Sequence, residues 1–233
     1  MTEPKIPCPV CKSDHCPVAE NFNDFKNELG YHLSKANIPE KYAWVRLAQL
    51  KANEMSRLPM PQQTALYDEL RAKPTSGWAF FSPAGYSKTT CSIALYRRAI
   101  VENLHRSWEL YSDRSLVAAQ KLYVWRKSVP DLFAQIFARY DDKTAPLPDI
   151  TVEKIQAAKN EGFTPRVFLE EIDKQKITEH TAHQMFRLFD ALDRHVCQIV
   201  LDSNLSTQQF LDMYGEPIAR RIKENCTIKE YGF

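Results

Sequence analysis

The sequence predicts an α/β fold, strands alternating with helices, and three stretches predict it. In each, a short apolar run ends in polar residues: Trp78–Phe81 before Ser82–Thr90, Val167–Leu169 before Glu170–Asp173, and Ile199–Leu201 before Asp202–Asn204. Continuous apolar runs of this length read as buried strands. Helical spacing follows the first run, from Thr90 to about Asn103, with Ile93, Leu95, Tyr96 and Ile100 apolar.

The first stretch carries the most chemistry. Gly77-Trp-Ala-Phe-Phe-Ser-Pro-Ala-Gly-Tyr-Ser-Lys-Thr-Thr90 runs strand, turn, Lys-Thr, helix. That is the order of a P-loop, in which successive backbone N–H groups and a helix N-terminus attract phosphate oxygens. Lys88 is placed to reach the β/γ-phosphates of a nucleotide and Thr89 to ligate Mg²⁺. Ser82, Pro83, Ala84, Gly85, Tyr86, Ser87 and Thr90 complete the cradle. The pattern G-x-x-x-x-G-K-[ST] asks for glycine where this chain has Ser82 and Ser87, so only Gly85 remains inside the loop. The plain alternative is a strand-to-helix turn with a surface lysine.

Composition narrows the class. The chain has 233 residues, 44% hydrophobic and 26% charged, which suits one main globular domain with a small appendage. No apolar run is long enough to span a bilayer and Met-Thr-Glu-Pro-Lys is not a signal peptide, so a cytoplasmic location is expected. The net charge of +2 offers no global argument for nucleic acid. Cys91, Cys197 and Cys226 sit singly in regular segments and do not read as a disulfide framework.

Cys8-Pro-Val-Cys11 followed by His15-Cys16 reads as a metal clip with Zn²⁺ as the candidate ion, His15 or His32 offering a fourth ligand. The competing reading is a reduced thiol cluster on a tail. Residues 21–37 have helical spacing at Phe22, Phe25, Leu29 and Leu33, and Asn37-Ile38-Pro39 ends that pattern. A short helix is expected around Thr64 to Arg71, between prolines. Arg97, Arg98 and Arg106 read as a solvated helix face rather than a DNA patch. Leu122–Trp125 is a strand candidate. Helices are expected from Val129 to Tyr140 and, capped by Thr151, to Asn160.

Arg166-Val-Phe-Leu-Glu-Glu-Ile-Asp173 is an apolar strand ending in adjacent carboxylates, the Walker B arrangement. Position assigns Glu170 to the Mg²⁺ shell and Glu171 to polarising the attacking water, with Asp173 in support. Glu170 stands where Asp is usual. After an amphipathic helix from Thr178 to Leu192, the third strand ends in Asp202-Ser203-Asn204, where Asn204 suits a γ-phosphate sensor or, more plainly, a cap for the helix at 206–213. Arg220-Arg221 follow on a short helix, at the place of a trans-acting arginine finger; the sequence does not choose between them.

This ordered set resembles the AAA+ helicase-loader group, the DnaC- and DnaI-type loaders and the IstB-type transposition helper ATPases. Ile38-Pro39-Glu40-Lys41-Tyr42 resembles the I-P-x-x-Y element that those proteins carry near the adenine. The resemblance covers roughly residues 37–230. It implies a parallel sheet flanked by helices without a C-terminal helical lid, in a core at 37–233 behind a Cys-rich, helical segment at 1–36. It also implies ATP and Mg²⁺ between the subunits of a homo-oligomer on DNA, single-stranded by preference, and a replicative helicase or transposase-type partner. By position, Glu171, Asn204 and Arg220 or Arg221 carry catalysis, and Ile38 and Tyr42 flank the base. The alternative from another class is a nucleotide-binding scaffold with weak or no hydrolysis. A P-loop kinase fits less well, since nothing reads as a substrate lid.

Overall fold

The computed structural model describes residues 22–110 and 122–233, together with Cys11 and Val18. Five strands form one parallel sheet: β1 (Gly77–Phe81), β2 (Val124–Ser128), β3 (Arg166–Glu170), β4 (Gln198–Ser203) and β5 (Cys226–Glu230), in the order β2-β3-β4-β1-β5. The helices are α1 (Phe22–Lys35), α2 (Met60–Ala72), α3 (Lys88–Leu110), α4 (Val129–Asp141), α5 (Val152–Asn160), α6 (Glu179–Arg194), α7 (Thr207–Tyr214) and α8 (Glu216–Asn225).

The apolar runs are buried because helices cover both sheet faces. On one face Trp78, Phe80, Phe168 and Val200 pack against Ile93, Leu95 and Tyr96 of α3 and Leu66 and Tyr67 of α2. On the other, Ala79, Phe81, Val167, Leu169, Ile199 and Leu201 meet Leu132 and Phe133 of α4, Phe189 of α6 and Phe210 of α7. Burying each such side chain is worth about 1.5–3 kcal/mol. α1 lies on α3 through Phe25 and Trp108.

Helix starts follow their caps. Ser128, Thr151, Thr178 and Ser206 each accept a backbone N–H from the first turn of α4, α5, α6 and α7. So Ser206, and not Asn204, caps α7. Gly77 is required by close approach: a Cβ there would lie 2.1 Å from the Asn225 carbonyl oxygen, where α8 turns into β5.

The expected elements are present with shifted ends. α3 begins at Lys88 and runs to Leu110, longer than the sequence pattern indicated, and β2 sits two residues later than expected. β5 had no counterpart in the sequence reading. Of its residues Cys226 is buried, and the rest alternate half-buried and exposed on the sheet edge. Among the described residues, no helix is long and apolar enough to cross a membrane.

Candidate functional site

In a parallel α/β sheet the chain leaves each strand at the same edge, and ligands bind there. Here β4 lies between β1 and β3, so the loop after β1 and the carboxylates after β3 flank the end of β4. Phe80 pairs with Asp202 and Phe81 with Ser203; Leu169 pairs with Leu201. The Ser82 N–H then donates to the Ser203 carbonyl at 3.1 Å, tying the start of the loop to β4.

Residues 82–87 form the loop and Lys88 opens α3. Gly85 has φ +94 and Ser87 φ +65. The first suits glycine; the second holds a serine in the left-handed region, at a cost of roughly 1–2 kcal/mol. The Ser87 hydroxyl is tied to Ser56 Oγ at 2.8 Å. Ser82, the other residue in a glycine position, is buried, and its hydroxyl has no hydrogen-bond partner among the described residues.

Lys88 turns back over the loop. Its Nζ donates to the Ser82 carbonyl, to the Pro83 carbonyl at 2.9 Å and to Asn204 Oδ1 at 3.1 Å. Burial pushes its pKa down, against the pull of Asp202 and Asp173. Asn204 is fixed from behind by Asp173, which accepts both its backbone N–H and its side-chain amide at 3.0 Å. Lys88 is half-buried, not a fully solvated surface lysine.

The two adjacent carboxylates at the end of β3 are in different surroundings. Glu170 is mostly buried, and both its oxygens accept from Arg126 of β2, at 2.8 and 2.7 Å. Burial raises its pKa, with Arg126 opposing and Glu171 adding to the rise. A metal ion at Glu170 has to share or displace that guanidinium. Glu171 is in the left-handed region, φ +56, and its exposed carboxylate pairs with Lys174. Such strain in a non-glycine residue clusters at functional sites.

Asp202 is the residue the sequence reading passed over. It was seen only as part of a strand end, yet it is buried beneath the site. Its Oδ1 accepts the Glu171 N–H at 3.1 Å. Burial first, and Glu170 second, push its pKa up to about 7, against Lys88 and Arg126. A charged residue directly after the apolar run Ile199–Leu201 of β4 was the signal for it. Arg126 left a similar trace, a cation one residue beyond a strand candidate.

Thr89 and Thr90 are half-buried in the first turn of α3. Ile38 and Tyr42 are half-buried and pack on the same core as Tyr86 of the loop. The carbonyl of Asn37, beside Ile38, accepts from Arg126 at 3.3 Å. Arg220 and Arg221 are not part of the cluster and differ from each other. Arg221 donates to Asp190 at 2.7 Å and lies over Phe186 at 4.6 Å, whereas the Arg220 side chain is 64% exposed beside Glu224. Of the three helix arginines, Arg97 donates to the Ala43 carbonyl, and Arg98 and Arg106 pair with Glu102 and Glu109.

Cys8, His15 and Cys16 lie outside the described residues, and Cys11 is exposed. Among the described residues, no group of three His, Cys, Asp or Glu side chains forms a metal site.

No family model matches the sequence, and no curated protein matches it. Solved structures do. A crystal structure of the DnaC helicase loader superposes with a TM-score of 0.53 at 12% identity, covering 81% of this chain and 97% of that one. The chain shares the fold of that structure, a parallel sheet flanked by helices. A replication initiator DnaA bound to AMPPCP and single-stranded DNA gives 0.52 at 16% identity, covering 84% of this chain and 51% of that one. AMPPCP-bound DnaA from Aquifex aeolicus gives 0.51 at 17%, with 80% and 49% covered. This chain therefore spans about half the length of the DnaA chains it matches. The sheet order accounts for the meeting of the loop after β1, the β3 carboxylates and Asn204 at one sheet edge.

Proposed function

We propose that this chain binds ATP with Mg²⁺ and hydrolyses it, acting in DNA replication or transposition by nucleotide-dependent assembly with DNA and a partner protein. The observation that carries this reading is the contact between Lys88 and Asn204, braced by Asp173. It joins the phosphate-loop lysine to a sensor amide across two strands. A bound γ-phosphate takes the place of Asn204 and the loop carbonyls as the partner of Lys88, and so reports directly to β4.

The donor set fits the ligands. Thr89, Glu170 and the neighbouring Asp202 supply hard oxygens of the kind Mg²⁺ takes. When bound, the ion neutralises charge on the phosphates. The unpartnered Ser82 hydroxyl and the first turn of α3 offer hydrogen-bond donors to an anion. Glu171, freed from Lys174, orients and polarises water. Ile38 and Tyr42 flank the adenine. Exposed Arg220 is the arginine finger, reaching a neighbour's nucleotide in a homo-oligomer, while Arg221 holds α8 in place.

The core is residues 37–233, and the Cys cluster in the segment before it is a candidate holder of Zn²⁺, a reduced thiol cluster being the alternative. The partner is a replicative helicase or a transposase-type protein, and the DNA is single-stranded. DnaA was solved with AMPPCP and single-stranded DNA, and DnaC is a helicase loader, which supports the replication reading. The protein works in the cytoplasm.

A second reading, a nucleotide-dependent scaffold with little turnover, is favoured by the pairing of both Walker B carboxylates with cations and by the serine at position 87. One assay separates the two: binding and hydrolysis of ATP with Mg²⁺, with and without single-stranded DNA. Turnover that rises with DNA, lost in Lys88→Ala and Glu171→Gln, supports the ATPase. Tight binding without turnover supports the scaffold, and absence of binding sinks both.

A further inference from the structure

Resting on the nucleotide reading above, we propose that Arg57 is a second phosphate-binding cation, contacting the polyphosphate of a nucleoside triphosphate from beside Gly85 of the loop. The turn Asn53–Leu58 is pinned to the phosphate loop at three points. The Arg57 N–H donates to the Gly85 carbonyl at 2.8 Å, Ser56 Oγ donates to the same carbonyl at 3.3 Å, and Ser56 Oγ meets Ser87 Oγ at 2.8 Å. The turn is itself held by Gln63, whose amide donates to the Asn53 and Leu58 carbonyls at 2.8 and 2.6 Å. A segment remote in sequence thus forms a fixed wall of the loop.

The Arg57 side chain lies along that wall. Its Cγ, Cδ and Nε are 3.2–3.3 Å from where a Cβ on Gly85 would stand. The stem therefore crosses the loop at the residue whose lack of a side chain makes room for it. Arg57 is exposed, and among the described residues no carboxylate or carbonyl pairs with its guanidinium. The contrast with Lys88 is direct, since that cation already has three oxygen partners. A guanidinium has a planar fork of donors matched to phosphate oxygens. Held over Gly85, it supplies charge and donors to a loop in which two glycine positions are serines.

The test uses the full chain and compares wild type, Arg57→Ala and Arg57→Lys for binding of Mg·ATP, ADP, inorganic tripolyphosphate and adenosine by calorimetry. Lys88→Ala serves as the marker of the phosphate site. The expected result is that Arg57→Ala weakens ATP and tripolyphosphate roughly tenfold, the scale of one lost charge-assisted hydrogen bond. ADP weakens less, adenosine is unchanged, Arg57→Lys recovers part of the loss, and the loss shrinks at high salt. Because the backbone bond to Gly85 survives in all variants, an unchanged melting temperature is expected with them. If wild type binds ATP and tripolyphosphate through Lys88 and Arg57→Ala binds them equally well, this proposal is overturned while the nucleotide reading stands. If wild type binds neither, both fall.

Discussion

Asp173 holds Asn204 by two bonds at once, one carboxylate oxygen accepting the backbone N–H and the other the side-chain amide, each at 3.0 Å. That pairing fixes which way the amide points. Its nitrogen faces Asp173, so its oxygen faces Lys88, at 3.1 Å. Asp173 is thus a positioning residue, and its effect passes through Asn204. Asp173→Ala is expected to reduce ATP turnover on the order of 10–100-fold, as is usual when a supporting partner is lost. Asn204→Ala should do about the same, and the double variant little more, because the two act as one unit. Steady-state kinetics on the four proteins, with melting temperatures alongside, checks this. Additive losses would show that Asp173 acts elsewhere.

Asp202 gives the site a pH dependence. Its folded pKa is raised to about 7, by burial first and by Glu170 second, with Lys88, Arg126 and the Glu171 N–H opposing. The folded state then holds its proton more tightly than the unfolded chain does. The contribution to stability is fully present below the unfolded value, near 3.8, and is lost as pH rises through 7. Asp202→Asn keeps an acceptor for the Glu171 N–H and removes the buried charge. It should raise stability at pH 8 by on the order of 1 kcal/mol or more and change it less at pH 5. Urea unfolding at the two pH values measures this, and an equal effect at both would refute the raised pKa.

The strands that carry the site were legible because they are buried on both faces. Trp78–Phe81 and Val167–Leu169 must be apolar without a break, and such runs are visible in a single sequence. β5 was not legible, since an edge strand such as Cys-Thr-Ile-Lys-Glu buries only its first residue and needs β1 as its template. The loop, Lys88, Glu171 and Asn204 could be picked out by order along the chain. Their partners could not. Asp202 under Glu171, Arg126 on Glu170 and Arg57 over Gly85 are contacts between segments tens of residues apart, and only the tertiary fold brings them together. For the same reason the sequence left Arg220 and Arg221 equivalent.

Ser87 offers a test of loop strain. With φ +65 it occupies a conformation that glycine adopts freely, and its hydroxyl bond to Ser56 offsets part of the cost. Ser87→Ala keeps the strain and loses the bond, worth about 0.5–1.5 kcal/mol. Ser87→Gly loses the bond as well but relieves about 1–2 kcal/mol of backbone strain, partly cancelled by greater freedom when unfolded. The glycine variant should therefore be more stable than the alanine variant by about 1 kcal/mol. Thermal or urea denaturation decides it, and the reverse order would place Ser87 outside the left-handed region in solution.

Arg220 and Arg221 should separate cleanly into function and stability. Arg221 is mostly buried, donates to Asp190 and to the Pro217 carbonyl, and stacks on Phe186, so it joins α8 to α6. Arg221→Ala leaves Asp190 with Arg194 alone and opens a gap over Phe186. A loss of about 3 kcal/mol is expected, the scale of breaking a shielded ion pair by removing one partner. Among the described residues Arg220 has only a distant, exposed neighbour in Glu224, and Arg220→Ala should leave the melting temperature unchanged. If Arg220 acts on a neighbouring subunit's nucleotide, Arg220→Ala should bind ATP normally yet fail to hydrolyse it. Mixing it with Lys88→Ala, which cannot bind nucleotide but still offers its own Arg220, should then restore turnover. Absence of recovery, with both variants folded and oligomeric, would remove Arg220 from the reaction.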